Sequence, residues 1–212
     1  MLILQIIALS SIAQNHFGLL FNTTKNIQKN FYSYDIGVQY FSKLSVKYKI
    51  ILYREFDMGI NSYNKINVKA NLLGILAFKY VESYYKATPI RNSDDGWPLQ
   101  FIVLGFIMPN GIMLAKKSNH SNIEYGIIFA PLFFEHNRFP NNKEMNNYSC
   151  ELGFPIFIKT KRYQHFSIQL FTAYQKNLSS SNIRPANFSN DNFTIRINFS
   201  YIFGISKNQK YE

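Results

Sequence analysis

The sequence predicts an all-β chain folded as a single antiparallel up-and-down transmembrane β-barrel of about eight to ten strands. Two observations carry that expectation. First, Phe193, Ile195, Ile197, Phe199, Tyr201, Phe203 and Ile205 form an alternate apolar row, with Thr194, Arg196, Asn198, Ser200 and Gly204 between them and Ile202 the one exception. Successive side chains of a strand point to opposite faces, so one face is apolar and the other is polar and carries an arginine. A soluble strand averages about five or six residues, whereas a tilted strand crossing a bilayer needs about nine to eleven, apolar toward lipid and polar toward the lumen. Second, the same alternation recurs along the chain between asparagine-rich breaks, with no convincing amphipathic helix and no repeat of fixed period.

Composition is compatible with this class. The chain has 212 residues, and aromatics reach 17%, with Tyr 15, Phe 20 and Trp 1. The mean hydropathy of −0.15 excludes a helical membrane bundle but not a barrel, whose lumen face dilutes the average. The net charge is +11 and the pI about 9.6. Lys and Arg are scattered, with no dense basic run, zinc-ligand spacing or recognition-helix pattern, so nucleic acid is not expected as a partner. Anionic phospholipid or lipopolysaccharide head groups suit a basic rim. Cys150 is the only cysteine, so no internal disulfide forms; it shares the alternate set of Tyr148, Leu152 and Phe154 and reads as a small packing residue.

Taken in order, Met1 to Ala13 is an apolar run ending in Ser11-Ile12-Ala13, read as a secretory signal peptide over residues 1–13, with one barrel domain over 14–212. No Lys or Arg precedes the apolar run. His16 to Asn22 reads as a short strand and Thr23 to Asn30 as a loop. Tyr32, Tyr34, Ile36, Val38 and Tyr40 alternate with Ser33, Asp35, Gly37 and Gln39. Ser42-Lys43 reads as a tight turn, and Leu44 to Ile60 as one long strand with Lys47, Lys49, Glu55 and Asp57 on its polar face and Arg54 interrupting the apolar one. Ile66 to Leu72 continues as a strand. Leu73 to Phe78, apolar on both faces and holding Gly74, reads as a turn or bulge, and Lys79 to Lys86 as the returning strand. Ala87 to Trp97 reads as a loop, Leu99 to Met108 as a strand apolar on both faces, and Pro109-Asn110-Gly111 as a turn. Ile112 to Lys116 and Ile123 to Ala130 are strands. Pro131 to Asn146, with two prolines and many asparagines, reads as an extracellular loop. Tyr148 to Lys159 and Gln164 to Lys176 form a hairpin, and Asn177 to Asp191 is a further loop. Short turns on one side and longer loops on the other are expected of such a barrel.

From about Lys65 onward the chain resembles small outer-membrane β-barrel proteins common in Bacteroidetes. The resemblance rests on Asn71-Leu72-Leu73-Gly74, Glu82-Ser83-Tyr84-Tyr85, Ser118-Asn119-His120-Ser121-Asn122-Ile123-Glu124-Tyr125-Gly126, and the aromatic hairpin from Asn147 to Gln175. It implies the fold and an address in the outer membrane of a Gram-negative bacterium, with no particular reaction. Such barrels often end on the aromatic residue of the last strand, whereas here nine residues follow Phe203.

The lumen candidates are Ser33, Asp35, Lys47, Lys49, Asn67, Lys69, Asn71, Glu124, Glu151, Gln169 and Arg196, which interlock as a plug of ion pairs and hydrogen bonds. Eight to ten strands leave little free lumen. Tyr32, Tyr40, Tyr48, Tyr125, Tyr148, Tyr174 and Tyr201 stand in lipid-face register, as an interfacial aromatic belt would. For catalysis, His120 and Ser121 with Glu124 are the only constellation resembling a hydrolase triad, as in a lipid A-modifying enzyme; adjacent strand residues point to opposite faces, which opposes a direct proton transfer. No metal ligand set and no cofactor fingerprint is present. The leading expectation is therefore a monomeric outer-membrane barrel with a structural or surface-interaction role. Its partners would be outer-membrane lipid, lipopolysaccharide and the barrel-assembly machinery. The alternatives are the lipid A-modifying hydrolase and a soluble β-barrel holding an apolar ligand inside.

Overall fold

The computed structural model describes residues 15–28, 30–45, 50–87, 108–117, 122–161, 164–179 and 191–205. They form β1 (Asn15–Asn26), β2 (Tyr32–Ser45), β3 (Ile50–Asn61), β4 (Ile66–Ala70), helix α1 (Leu72–Ala87), β5 (Gly111–Lys117), β6 (Ile123–Arg138), β7 (Glu144–Lys161), β8 (Gln164–Asn177) and β9 (Asp191–Ile205). Every pairing is antiparallel. Strand β1 pairs with both β2 and β9, and β2 with β3, so the sheet closes. Strands β4 and β5 both lie between β3 and β6, one above the other. Nine strands with two sharing one position make an eight-stave up-and-down barrel.

The faces follow the alternation. On β9, Asn192, Thr194, Arg196, Asn198 and Ser200 are buried inside, while Phe193, Ile195, Ile197 and Phe199 are exposed outside. Ile202 breaks the polar set because it joins an apolar floor within the barrel. Leu19 and Phe21 of β1, Ile36 of β2, Phe154 and Ile156 of β7, and Ile168 and Leu170 of β8 extend the exposed apolar band around the outside. The apolar rows face outward, opposite to the arrangement of a soluble barrel with an apolar interior.

Several sequence expectations are corrected. Leu73 to Lys86 is neither a turn nor a returning strand but part of α1. Its residues are apolar on nearly every side, so no amphipathic period marks it, and strong helix formers fill it. A start signal was present: Asn71 accepts the Gly74 N–H on its Oδ1 at 2.9 Å, an N-cap to N3 bond. Pro131 to Asn146 is not a loop, since β6 continues to Arg138 and β7 begins at Glu144. A bulge between Ala130 and Phe133 hides the continuity by inserting one residue at Pro131, whose missing N–H suits an unpaired position. Ser42-Lys43 lies within β2 rather than in a turn, and the single strand expected from Leu44 to Ile60 is the end of β2 followed by β3 from Ile50. Thr23 to Asn26 is strand, not loop. The expected contrast between short turns and long loops is met in part: residues 178–190 join β8 to β9 at the Phe31 end and outnumber any connection at the other end, but the longest connection, from Ala70 to Gly111, leaves from the middle of the wall. The signal peptide over residues 1–13 and the strand from Leu99 to Met108, save its last residue, lie outside the described residues, as does most of the loop from Ala87 to Trp97.

Candidate functional site

The lumen has three tiers. At the end where β1 begins and β9 ends, Phe41, Tyr53, Met113, Ile128, Phe133, Phe157, Phe171 and Ile202 pack into an apolar floor. The Phe41 and Tyr53 ring centroids are 5.5 Å apart, and Tyr53 and Phe171 are stacked at 6.1 Å. At the opposite end, Phe31, Phe139 and Met145 form a second buried cluster. Three rings from three connections meet there: Phe31 to Phe139 at 5.6 Å, Phe31 to Tyr63 at 6.3 Å and Tyr63 to Phe139 at 5.3 Å. Asn61 ties two of these connections together. Its Oδ1 accepts the Tyr63 N–H at 3.0 Å, and its Nδ2 donates to the Arg138 carbonyl at 2.7 Å.

Between the two lies a charged tier. Arg196, 1% exposed, is bound by Glu55 and Glu151 and stands 3.5 Å from Asp57. Its guanidinium lies over the Phe171 ring at 4.2 Å and the Phe133 ring at 5.2 Å, resting on the floor as a cation on π-faces. Lys69, equally buried, meets Glu151 at 2.9 Å. Amides reach three of the acids, while neither carboxylate oxygen of Asp57 has a hydrogen-bond donor among the described residues. Asn67 donates to Asp35 at 2.8 Å, Gln175 to Glu135 at 2.8 Å and Asn198 to Glu55 at 3.2 Å. Gln169 bridges to Gln39 at 3.0 Å and to Ser167 at 2.9 Å. Five buried carboxylates, Asp35, Glu55, Asp57, Glu135 and Glu151, thus share the tier with two cations, Lys69 and Arg196.

A reciprocal arrangement makes room for two of these acids. Asp35 pairs across with Gly59, and Gly37 with Asp57. A Cβ on Gly37 would run into the Asp57 carboxylate, and one on Gly59 into the Asp35 carboxylate and the Tyr34 carbonyl. Each carboxylate therefore lies across the bare backbone of the other strand, a close approach only glycine permits.

The wall opens where β4 ends and β5 has not begun. Two asparagines repair the backbone there. Asn110 donates its N–H to the Tyr53 carbonyl at 2.8 Å, its Oδ1 accepts the Glu55 N–H at 2.7 Å, and its carbonyl accepts the Leu132 N–H at 3.2 Å. Asn71 Nδ2 donates to the Met108 carbonyl at 2.7 Å. Replacing Asn110 by alanine strands the buried Glu55 N–H and is expected to cost about 1–3 kcal/mol, measured by urea titration of the folded band on an unheated gel.

Of the residues singled out from sequence, Asp35, Lys69 and Arg196 meet in the charged tier. Glu124 points to the same side but near the floor end, apart from them, opposite Phe157. Tyr32, Tyr125 and Tyr174 project outward and are exposed, while Tyr40, Tyr148 and Tyr201 are half-buried on the outer face. Tyr32, Tyr148 and Tyr174 lie toward the Phe31 end, and Tyr40, Tyr125 and Tyr201 toward the other. Arg54, the break in the apolar face, bonds Ser42 Oγ at 2.7 Å and lies over the Tyr40 ring at 5.4 Å. Lys47, Tyr48, Lys49, His120 and Ser121 lie outside the described residues. Sequence reasoning missed the roles of Asn71 and Asn110, although the Asn71-Leu72-Leu73-Gly74 cap was a usable signal.

Apolar outside and ion-paired inside, the molecule belongs architecturally with closed eight-stave barrels of inverted polarity. Among solved structures, a chain described as "De novo design of transmembrane beta-barrels" aligns with 90% of this chain and 95% of its own length, at 10% identity and a TM-score of 0.37. No family model and no curated protein matches the chain.

Proposed function

We propose that this is an outer-membrane β-barrel of a Gram-negative envelope, with a structural or surface-interaction role and no catalysis. The observation that carries the reading is the inversion of faces: the outer wall is a band of exposed Leu, Ile and Phe, while the charges are held inside. In water such a band is a liability, and in hydrocarbon it is the required surface. Closure pairs each stave with two neighbours, and the gap between β4 and β5 is bridged by Asn71 and Asn110, which suits hydrocarbon, where an open sheet edge is not tolerated. The tyrosines toward both ends of the outer face suit the two interfaces, with outer-membrane lipid and lipopolysaccharide as the surrounding partners. The filled lumen fits a monomeric scaffold rather than a pore. Membrane fractionation combined with gel migration tests this. The protein is expected in the outer-membrane fraction, with an unheated band that shifts on boiling. A water-soluble protein without the shift would overturn it.

A further inference from the structure

The break in the fourth stave is a splice. Asp57 pairs with Lys69 and Ile60 with Ile66, so β4 extended at that step would bring position 73 opposite Tyr53. Gly111 stands there instead, and 111 − 73 = 38. The offset is even, so the two halves keep one phase: Asn67 and Lys69 point inward, and so does Met113. On the other side β5 and β6 are offset by one further residue, which the β6 bulge between Ala130 and Phe133 absorbs. The wall thus reads as one continuous strand, interrupted by residues 72–109 without loss of register or face.

What is spliced in carries α1, and α1 packs on the outside. Ile75 is buried with the outward-facing Phe56, Val68 and Ala70. Phe78 meets the His136 ring at 5.9 Å, and Glu82 pairs with Arg138. Positions 134, 136 and 138 climb the outer face of β6, so the helix runs from mid-wall toward the Phe31 end. Its far side is a stripe at helical spacing: Leu72 is 45% exposed, Leu76 54% and Tyr80 53%. That stripe continues the exposed band of Met58, Ile60 and Ile66 beside it.

We propose that residues 72–109 are an insertion in an eight-stave barrel, and that α1 is an interaction element lying in the membrane along the outer wall, its occupant being lipid acyl chains. The second half rests on the outer-membrane reading; the splice does not. The geometry accounts for the apolar character of α1 on both sides, one facing barrel and one facing hydrocarbon. The Glu82–Arg138 pair stands at the rim, where both charges reach polar surroundings.

Two deletions in the full chain test the splice. Removing residues 72–109 joins Asn71 to Asn110 and restores the strand in phase. Removing 72–108 joins Asn71 to Pro109, keeps Asn110 and turns every following side chain of β5 to the wrong face. Both lack α1, so their difference reports phase alone. The first is expected to retain the heat-modifiable band and β-sheet circular dichroism, and the second to lose the folded band. Equal behaviour of the two would overturn the splice. For the helix, Leu76→Trp in a Trp97→Phe background is reconstituted into vesicles of brominated phosphatidylcholine. Loss of tryptophan fluorescence relative to unbrominated vesicles supports lipid as the occupant, and unchanged fluorescence overturns it. If the protein proves water-soluble, the outer-membrane reading fails while the two deletions still decide the splice.

Discussion

Replacing Arg196 by leucine is expected to destabilise the barrel by about 3–5 kcal/mol, the cost of breaking a buried ion pair by removing one partner. Arg196 is the hub of its tier, bound to Glu55 of β3 and Glu151 of β7 and close to Asp57 of β3. Its loss leaves those acids with Lys69 as the one remaining cation of the tier among the described residues. It also vacates the faces of Phe171 and Phe133. Changing Glu55 to glutamine in the same chain removes one stranded charge and leaves Glu151 paired with Lys69, so that double variant should recover part of the lost stability. Urea titration with the unheated band as readout measures both. An Arg196→Leu protein as stable as the parent would show that the acids do not depend on this guanidinium.

Leu170→Arg is the second large effect, expected to cost about 2–4 kcal/mol when the protein is folded into lipid vesicles. Leu170 is exposed on the outer face of β8, flanked across the sheet by Phe154 and Ile197. On the membrane reading, a guanidinium there enters hydrocarbon, since Leu170 lies midway along β8. The same substitution on a water-facing surface would fall within about 0.5 kcal/mol. Reversible unfolding from vesicles decides between the two, and a negligible change would put that face in water.

Where the physics is strictly periodic, the sequence was legible. Strand β9 could be read residue by residue, because one alternation serves both the outer band and the charged tier. Asp35, Lys69 and Arg196 were placed on inner faces by that rule alone, and they converge across the lumen. Legibility failed where two constraints overlap. Helix α1 is apolar both on the side packed against the wall and on its exposed side, so it shows neither a strand period nor an amphipathic one. Pro131 shifts the phase of β6 by one residue, which makes a continuous strand read as strand and then loop. Partnerships across the lumen were illegible too: Gln169 with Gln39, or Arg196 with Glu55, depend on barrel closure, which brings distant segments together. The reciprocal Asp35–Gly59 and Gly37–Asp57 fit was invisible for the same reason, although Asp35-Ile36-Gly37 and Asp57-Met58-Gly59 spell the same pattern twice.

The three-tiered lumen also has an electrical meaning. Two dry aromatic layers bracket a layer dense in fixed charge, so along its axis the molecule is a pair of insulating plates around a polar filling. An ion travelling through would meet two dielectric barriers in series, one built from β-strand side chains and the other from three joined connections. Loosening either plate leaves the other in place. The charged middle is thereby buried from both ends of the barrel, and its ion pairs are screened little by salt outside.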